Sequence, residues 1–132
     1  MNLFIDTSAF LAVLNANDRF YPPARGAWSE LLKSEAALFT SNYVLLETTA
    51  LLQHRFGIPA LRMFESELLP VVTVAWVDEA LHRQGMSALL AANRWDLSLV
   101  DCTSFEMIRQ KGMDCAFTFD PHFREQGFAV IP

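Results

Sequence analysis

The sequence predicts a three-layer α/β fold, with a central, mostly parallel sheet flanked by helices. Two observations carry this. Strand-like runs alternate with helical patterns nearly to the end of the chain, which is the signature of repeated strand–helix–strand units. The strand-like runs are also continuously apolar, as expected when helices cover both faces of a sheet. The 132 residues fit one domain, spanning 1–132. Apolar residues make up 52% of the chain, with 11 Phe and 3 Trp, enough to bury a core at this length.

Taken in order, NLFI (2–5) is a short buried strand, and TSAFLAVLNA is a helix with Thr7 or Ser8 near its start. NDRFYPP is a loop whose Pro22 and Pro23 suit the first turn of the next helix. ARGAWSELLKS continues that helix, with Ala24, Ala27, Trp28, Leu31 and Leu32 on one side. AALFTS is a second strand. NYVLLETTALLQHRFG is a long helix, capped by Asn42 or Ser41 and stopped by Gly57. IPALRMFESELLP reads as one helix ended by Pro70, and VVTVAW as a β-branched strand. VDEALHRQGMSALLAANR is a helix with an interior glycine, Gly85. DLSLVDCTSFEMIRQKG is a helix closed by Gly112; DCAFTFD is a strand, PHFREQ a short helical turn and GFAVIP a last strand. Right-handed crossovers then bring the C-terminal ends of the strands to one edge, where ligands bind in such folds.

No apolar run is long enough to span a membrane. The N-terminus lacks a basic segment, and Asp6 interrupts its apolar stretch, which argues against a secretory signal. Cys102 and Cys115 lack metal-type spacing and read as buried residues of an intracellular protein. The net charge of −5 does not advertise a nucleic-acid binder, since phosphate contacts need Lys and Arg. Carboxylates grouped around a divalent cation would nevertheless be neutralised where substrate phosphates arrive.

Four of the 15 acidic residues sit in awkward places. Asp6 ends the first strand; it reads either as an N-cap or, with Thr7 and Ser8 able to cap instead, as part of a site. Glu47 lies in the helical row of Tyr43, Val44, Ala50, Leu51 and His54, where a lone carboxylate is costly unless it is paired, solvated or bound to metal. Asp101 sits amid Leu97, Ser98, Ser104, Phe105 and Ile108; a first-turn position favoured by the helix dipole is the alternative there. Asp120 ends the strand CAFTF and precedes Pro121, which also suits a helix start. Together the four can converge on one pocket. Clustered carboxylates repel unless a cation neutralises them. An oxygen-only set favours Mg²⁺ or Mn²⁺, one ion or two, which suits phosphodiester hydrolysis by an activated water.

In this order and spacing, Asp6 in FIDTSAF, Glu47 in ETTALL, Asp101 in SLVDCTSF and Asp120 in FTFDPHF resemble the PIN-domain ribonucleases. More narrowly, they resemble the VapC-type toxins of prokaryotic toxin–antitoxin pairs. The resemblance spans essentially the whole chain and lies in the ordered set, not in any single motif. It implies a PIN-like α/β/α fold and a Mg²⁺/Mn²⁺-dependent endoribonuclease acting on an RNA substrate in the cytoplasm. Its acidic positions match Asp6, Glu47, Asp101 and Asp120, with Asp6 and Asp101 as direct metal ligands and the other two direct or through water. Thr7 and Ser8 match the polar pair after the first acid, and Ser104 matches a small polar position that orients a carboxylate or a bound water. The resemblance further implies a homodimer silenced by a cognate antitoxin that lays a peptide into the acidic site. One departure is FYPPA before the second helix, where many relatives carry a His.

His122 follows Asp120 closely and is a candidate substrate contact, against a structural role in its turn. Arg94 and Trp95 are candidates to grip and stack on RNA, against an interface or core role. Two rival readings remain at this point. An aspartyl-phosphate enzyme with Asp6 as nucleophile lacks the second Asp and the Gly such chemistry uses, since DTSAF has neither. The other is a catalytically inactive PIN scaffold that binds RNA or protein, against which the presence of all four acids speaks.

Overall fold

The computed structural model describes residues 1–132. Its elements are β1 (Asn2–Ile5), α1 (Thr7–Leu14), α2 (Tyr21–Lys33), β2 (Ala37–Ser41), α3 (Asn42–Phe56), α4 (Ile58–Met63), β3 (Thr73–Ala75), α5 (Glu79–Ala92), α6 (Leu99–Lys111), β4 (Cys115–Phe117), α7 (His122–Glu125) and β5 (Val130–Ile131). The five strands form one sheet in the order β3-β2-β1-β4-β5. Every neighbouring pair is parallel, so the sheet is wholly rather than mostly parallel.

The layers follow from burial. Leu3, Phe4 and Ile5 of β1 are each fully buried, as are Ala116 and Phe117 of β4. Successive strand side chains point to opposite faces, so helices must cover both. Sheet order then places the site. From β1 the chain steps outward to β2 and β3, then returns to the other side of β1 for β4 and β5. Connections therefore leave the C-terminal ends of β1 and β4 in opposite directions, and the crevice between those ends is the topological switch point.

Local chemistry sets the helix ends. Ser41 caps α3 by accepting the Val44 N–H, and Gly57 closes it at φ 79°. The interior glycine of α5 is a close-approach residue. A Cβ on Gly85 would lie 2.3 Å from Thr103 Cγ2 and 3.2 Å from the Thr103 backbone, so α5 and α6 pack nearly backbone to backbone.

Two expectations are revised. The helix expected over 58–70 breaks after α4 into a wide π-turn (Phe64–Leu68) and a tight turn (Leu69–Val71). Phe64 and Leu68 are both buried there, and Pro70, which has no N–H to donate, ends the regular bonding. The strand expected over 71–76 pairs only through Thr73–Ala75, because Val71 belongs to the preceding turn and Trp76 faces solvent.

Candidate active site

Asp6 follows β1, Asp120 lies just past β4, Glu47 sits on α3 and Asp101 in the first turn of α6. The backbone binds the two central strand ends together, with the Asp6 N–H donating to Phe117 O at 3.1 Å. The four carboxylates share one electrostatic neighbourhood. Burial pushes the Asp6 pKa up from 3.8 to about 6, with the Asp101 and Asp120 charges adding to the rise and the Ser8 and Thr118 hydroxyls opposing it. Burial also raises Glu47, again helped by Asp101 and Asp120 and opposed by the Thr7 hydroxyl. Asp101 is raised mainly by burial and then by Asp120, against the Ser98 N–H that favours its charge.

Asp6 is held by three hydrogen bonds, all on Oδ2. The Ser8 Oγ donates at 2.8 Å, the Thr118 Oγ1 at 3.1 Å and the Ser8 N–H at 3.4 Å. Oδ1 takes none of them. This corrects one expectation: Asp6 itself is the N-cap of α1, and Thr7 and Ser8 are not. One oxygen caps and orients while the other takes no hydrogen bond. Ser8 instead ties α1 to the end of β4. Its Oγ accepts the Phe119 N–H at 2.9 Å and lies 3.1 Å from Thr118 Oγ1. Thr7 Oγ1 accepts from Thr48 Oγ1 at 3.1 Å and reaches Val44 O at 3.5 Å. It thereby fixes α3, and with it Glu47, against α1.

Asp101 also has two duties. It forms a capping box with Ser98: its Oδ2 accepts the Ser98 N–H, and Ser98 Oγ accepts the Asp101 N–H, each at 3.0 Å. The first-turn reading of this residue is therefore correct, and the proximity to Asp120 comes in addition. Ser104 departs from expectation. It is buried, and its Oγ donates its proton to Val100 O of its own helix at 2.7 Å rather than to a carboxylate.

Asp120 Oδ1 accepts the His122 N–H at 2.9 Å, and its own N–H donates to Thr118 Oγ1 at 3.0 Å. One donor atom from each of Asp101, Asp120 and His122 lies within 4.8 Å of the others. The His122 Nδ1 is buried, stands 2.9 Å from Asp120 Oδ1 and makes no aligned hydrogen bond. This orphaned nitrogen beside paired carboxylates fits a cation-binding site better than a self-sufficient polar cluster.

Arg94 is paired with carboxylates in the folded chain. Its Nε and Nη2 bind the two Asp96 oxygens at 3.0 and 2.7 Å, and its Nη1 pairs with Glu125. Asp96 in turn lies 3.3 Å from His122 Nε2. Trp95, between these two anchored residues, is 98% exposed. Thr118 and Asp96 were missed in the sequence. The signal for Thr118 was a hydroxyl between two Phe in FTFD; the role of Asp96 at His122 has no sequence signal, because the two lie 26 positions apart.

A family model of the PIN domain matches residues 3–129. The chain is 35% identical over 130 residues to the 23S rRNA-specific endonuclease VapC20 of Mycobacterium tuberculosis, covering 98% of this chain and 97% of that one. The crystal structure of that VapC20, described as a Sarcin-Ricin loop cleaving toxin, superposes with a TM-score of 0.86 over 98% of this chain and 99% of the other. The fold extends to more distant structures. Rickettsia felis VapBC2 bound to promoter DNA matches at TM-score 0.73 and 10% identity, over 98% of this chain and 97% of that one. Neisseria gonorrhoeae FitAcB matches at 0.70 and 16%, over 98% and 96%. The chain belongs to the PIN-domain family.

Proposed function

We propose that this chain is an endoribonuclease that hydrolyses RNA phosphodiester bonds with the help of Mg²⁺ or Mn²⁺, and that it is the toxin of a toxin–antitoxin pair acting in the cytoplasm. What supports the reading is the grouping of acids at the switch-point crevice: donor atoms of Asp101, Asp120 and His122 lie within 4.8 Å of one another, and, after burial, the Asp101 and Asp120 charges add to the rise in the pKa of Asp6 and Glu47. The resemblance to VapC20 over nearly the full length supports RNA as substrate and a toxin role, and makes ribosomal RNA the first target to test.

Asp101, Asp120 and the free Oδ1 of Asp6 would hold the cation, with half-buried Glu47 contributing directly or through water. A bound divalent ion supplies charge neutralisation and a water of lowered pKa. The chain's own part is positioning. Ser8 and Thr118 fix the Asp6 carboxylate, the Ser98 capping box fixes Asp101, and the Thr7–Thr48 bond fixes the helix bearing Glu47. Without compensation, this much negative charge repels a phosphodiester, so RNA binding at the crevice requires the cation. No side chain is needed as nucleophile. Trp95 would stack on an RNA base beside the crevice, and a cognate antitoxin would cover the acidic site.

The reading is tested by expressing the chain with and without its neighbouring open reading frame and mapping RNA 5′ ends. Growth arrest and new 5′ ends only in the absence of the neighbour are expected. No arrest and no new ends would favour an inactive scaffold instead.

A further inference from the structure

We infer that His122 is a nitrogen ligand of the divalent cation, held by an Asp96–Arg94 pair, and that this ligand makes the site prefer Mn²⁺ over Mg²⁺. The inference rests on the metal-dependent reading above and names the residue that would tune it.

The geometry points this way from both ring nitrogens. On one side, Nε2 lies 3.3 Å from Asp96 Oδ2, and that carboxylate is clamped by two bonds from Arg94 at 3.0 and 2.7 Å. In the tautomer that donates Nε2–H to Asp96, Nδ1 keeps its lone pair. On the other side, Nδ1 is buried without a hydrogen-bond partner, yet stands 2.9 Å from Asp120 Oδ1. That oxygen already accepts the His122 backbone N–H at 2.9 Å. In that tautomer, a lone pair facing a carboxylate oxygen at this distance is repulsive unless a proton or a metal cation lies against both. Two ligands about 2.1 Å from an ion at adjacent corners of an octahedron are about 3 Å apart, which is the separation observed. Asp101 supplies a third donor atom within 4.8 Å.

A histidine that ligates through one nitrogen and donates its other N–H to a carboxylate is the usual arrangement in metal sites, and the outer carboxylate fixes tautomer and ring orientation. Arg94, fastened to both Asp96 and Glu125, holds that carboxylate still. Mg²⁺ is a hard ion that takes oxygen ligands, whereas transition-metal ions accept imidazole. A nitrogen in the set therefore shifts preference toward Mn²⁺.

The test uses Mn²⁺ alone, with the full chain and no RNA. Electron spin echo envelope modulation of the Mn²⁺-loaded protein reads ¹⁴N coupling directly, and isothermal titration reads Mn²⁺ and Mg²⁺ affinities. A ¹⁴N signal is expected in the wild type and is expected to vanish in His122→Ala while Mn²⁺ still binds. His122→Ala should weaken Mn²⁺ by about tenfold or more and Mg²⁺ much less, and Asp96→Ala should weaken Mn²⁺ by about tenfold while keeping the ¹⁴N signal. Mn²⁺ bound to the wild type without ¹⁴N coupling overturns the inference and leaves the nuclease reading standing. Equal losses of Mn²⁺ and Mg²⁺ in His122→Ala also overturn it. No Mn²⁺ binding to the wild type overturns both. The wild-type spectrum needs no variant to fold, and circular dichroism checks the two that are used.

Discussion

Asp6→Asn should stabilise the metal-free protein at neutral pH while abolishing its activity. Asp6 is buried, and its pKa rises from 3.8 to about 6. One pKa unit is worth about 1.4 kcal/mol, so holding Asp6 ionised in the folded, cation-free chain costs about 3 kcal/mol. The sign follows from proton binding. Below pH 3.8 the group is protonated in both states and contributes nothing. As pH rises toward 6 the unfolded chain releases its proton first, so the folded state binds more protons and stability falls. Above pH 6 the full penalty applies. The asparagine keeps an acceptor for Ser8 and Thr118 and carries no charge to set against Asp101 and Asp120. Unfolding entropy of about 2.1 cal/mol/K per residue makes about 0.28 kcal/mol/K for a chain of 132 residues. The gain at pH 7.5 is then at most about 11 °C in Tm. Differential scanning calorimetry in EDTA at pH 4 and pH 7.5 measures it. The variant should melt above wild type at pH 7.5, with the gap closing at pH 4. A variant that melts below wild type at pH 7.5, or a gap independent of pH, would refute the reasoning.

Other sites give independent outcomes. Gly85→Ala should cost about 1–3 kcal/mol by overpacking, since its Cβ would meet Thr103 Cγ2 at 2.3 Å; denaturant titration checks this, and adding Thr103→Ser should restore part of the loss. Ser8→Ala should cost about 1–3 kcal/mol by leaving the Phe119 N–H without its acceptor. The same change should steepen the loss of metal-free stability between pH 4 and 7, because the Ser8 hydroxyl opposes the rise in the Asp6 pKa. Trp95→Ala should leave Tm unchanged, given its 98% exposure, and weaken RNA binding by about 1–3 kcal/mol, measured as fluorescence anisotropy of a labelled, cleavage-resistant RNA with the divalent ion present.

Much of the fold was legible because continuous apolar strands and amphipathic helices leave few alternatives. NLFI, AALFTS and CAFTF are the apolar runs that hold β1, β2 and β4, and Ser41, Gly57 and Gly112 mark helix ends by their own chemistry. The breaks near Phe64 and Val71 were not legible, since Phe64 and Leu68 stand four apart as in a regular helix and an edge strand shortens for tertiary reasons. In the site, the four acids stood out as charges among apolar neighbours. The division of labour within Asp6, one oxygen capping and one free, lies below what residue type conveys. Ser104 showed the opposite limit: a small polar residue one turn from Asp101 invites a site role, yet its hydroxyl bonds its own helix, the usual outlet for a buried serine. The Arg94–Asp96–His122 chain joins residues 26 positions apart and close only in the folded chain.

The most direct measurement of the central claim is cleavage of purified ribosomal RNA by the purified chain with Mn²⁺, read by 5′-end sequencing and compared with Asp101→Asn. The wild type should produce a small set of new 5′ ends that EDTA abolishes, and the variant should produce none while keeping its fold. New ends of equal yield from both proteins, or none from a wild type that binds Mn²⁺, would contradict it.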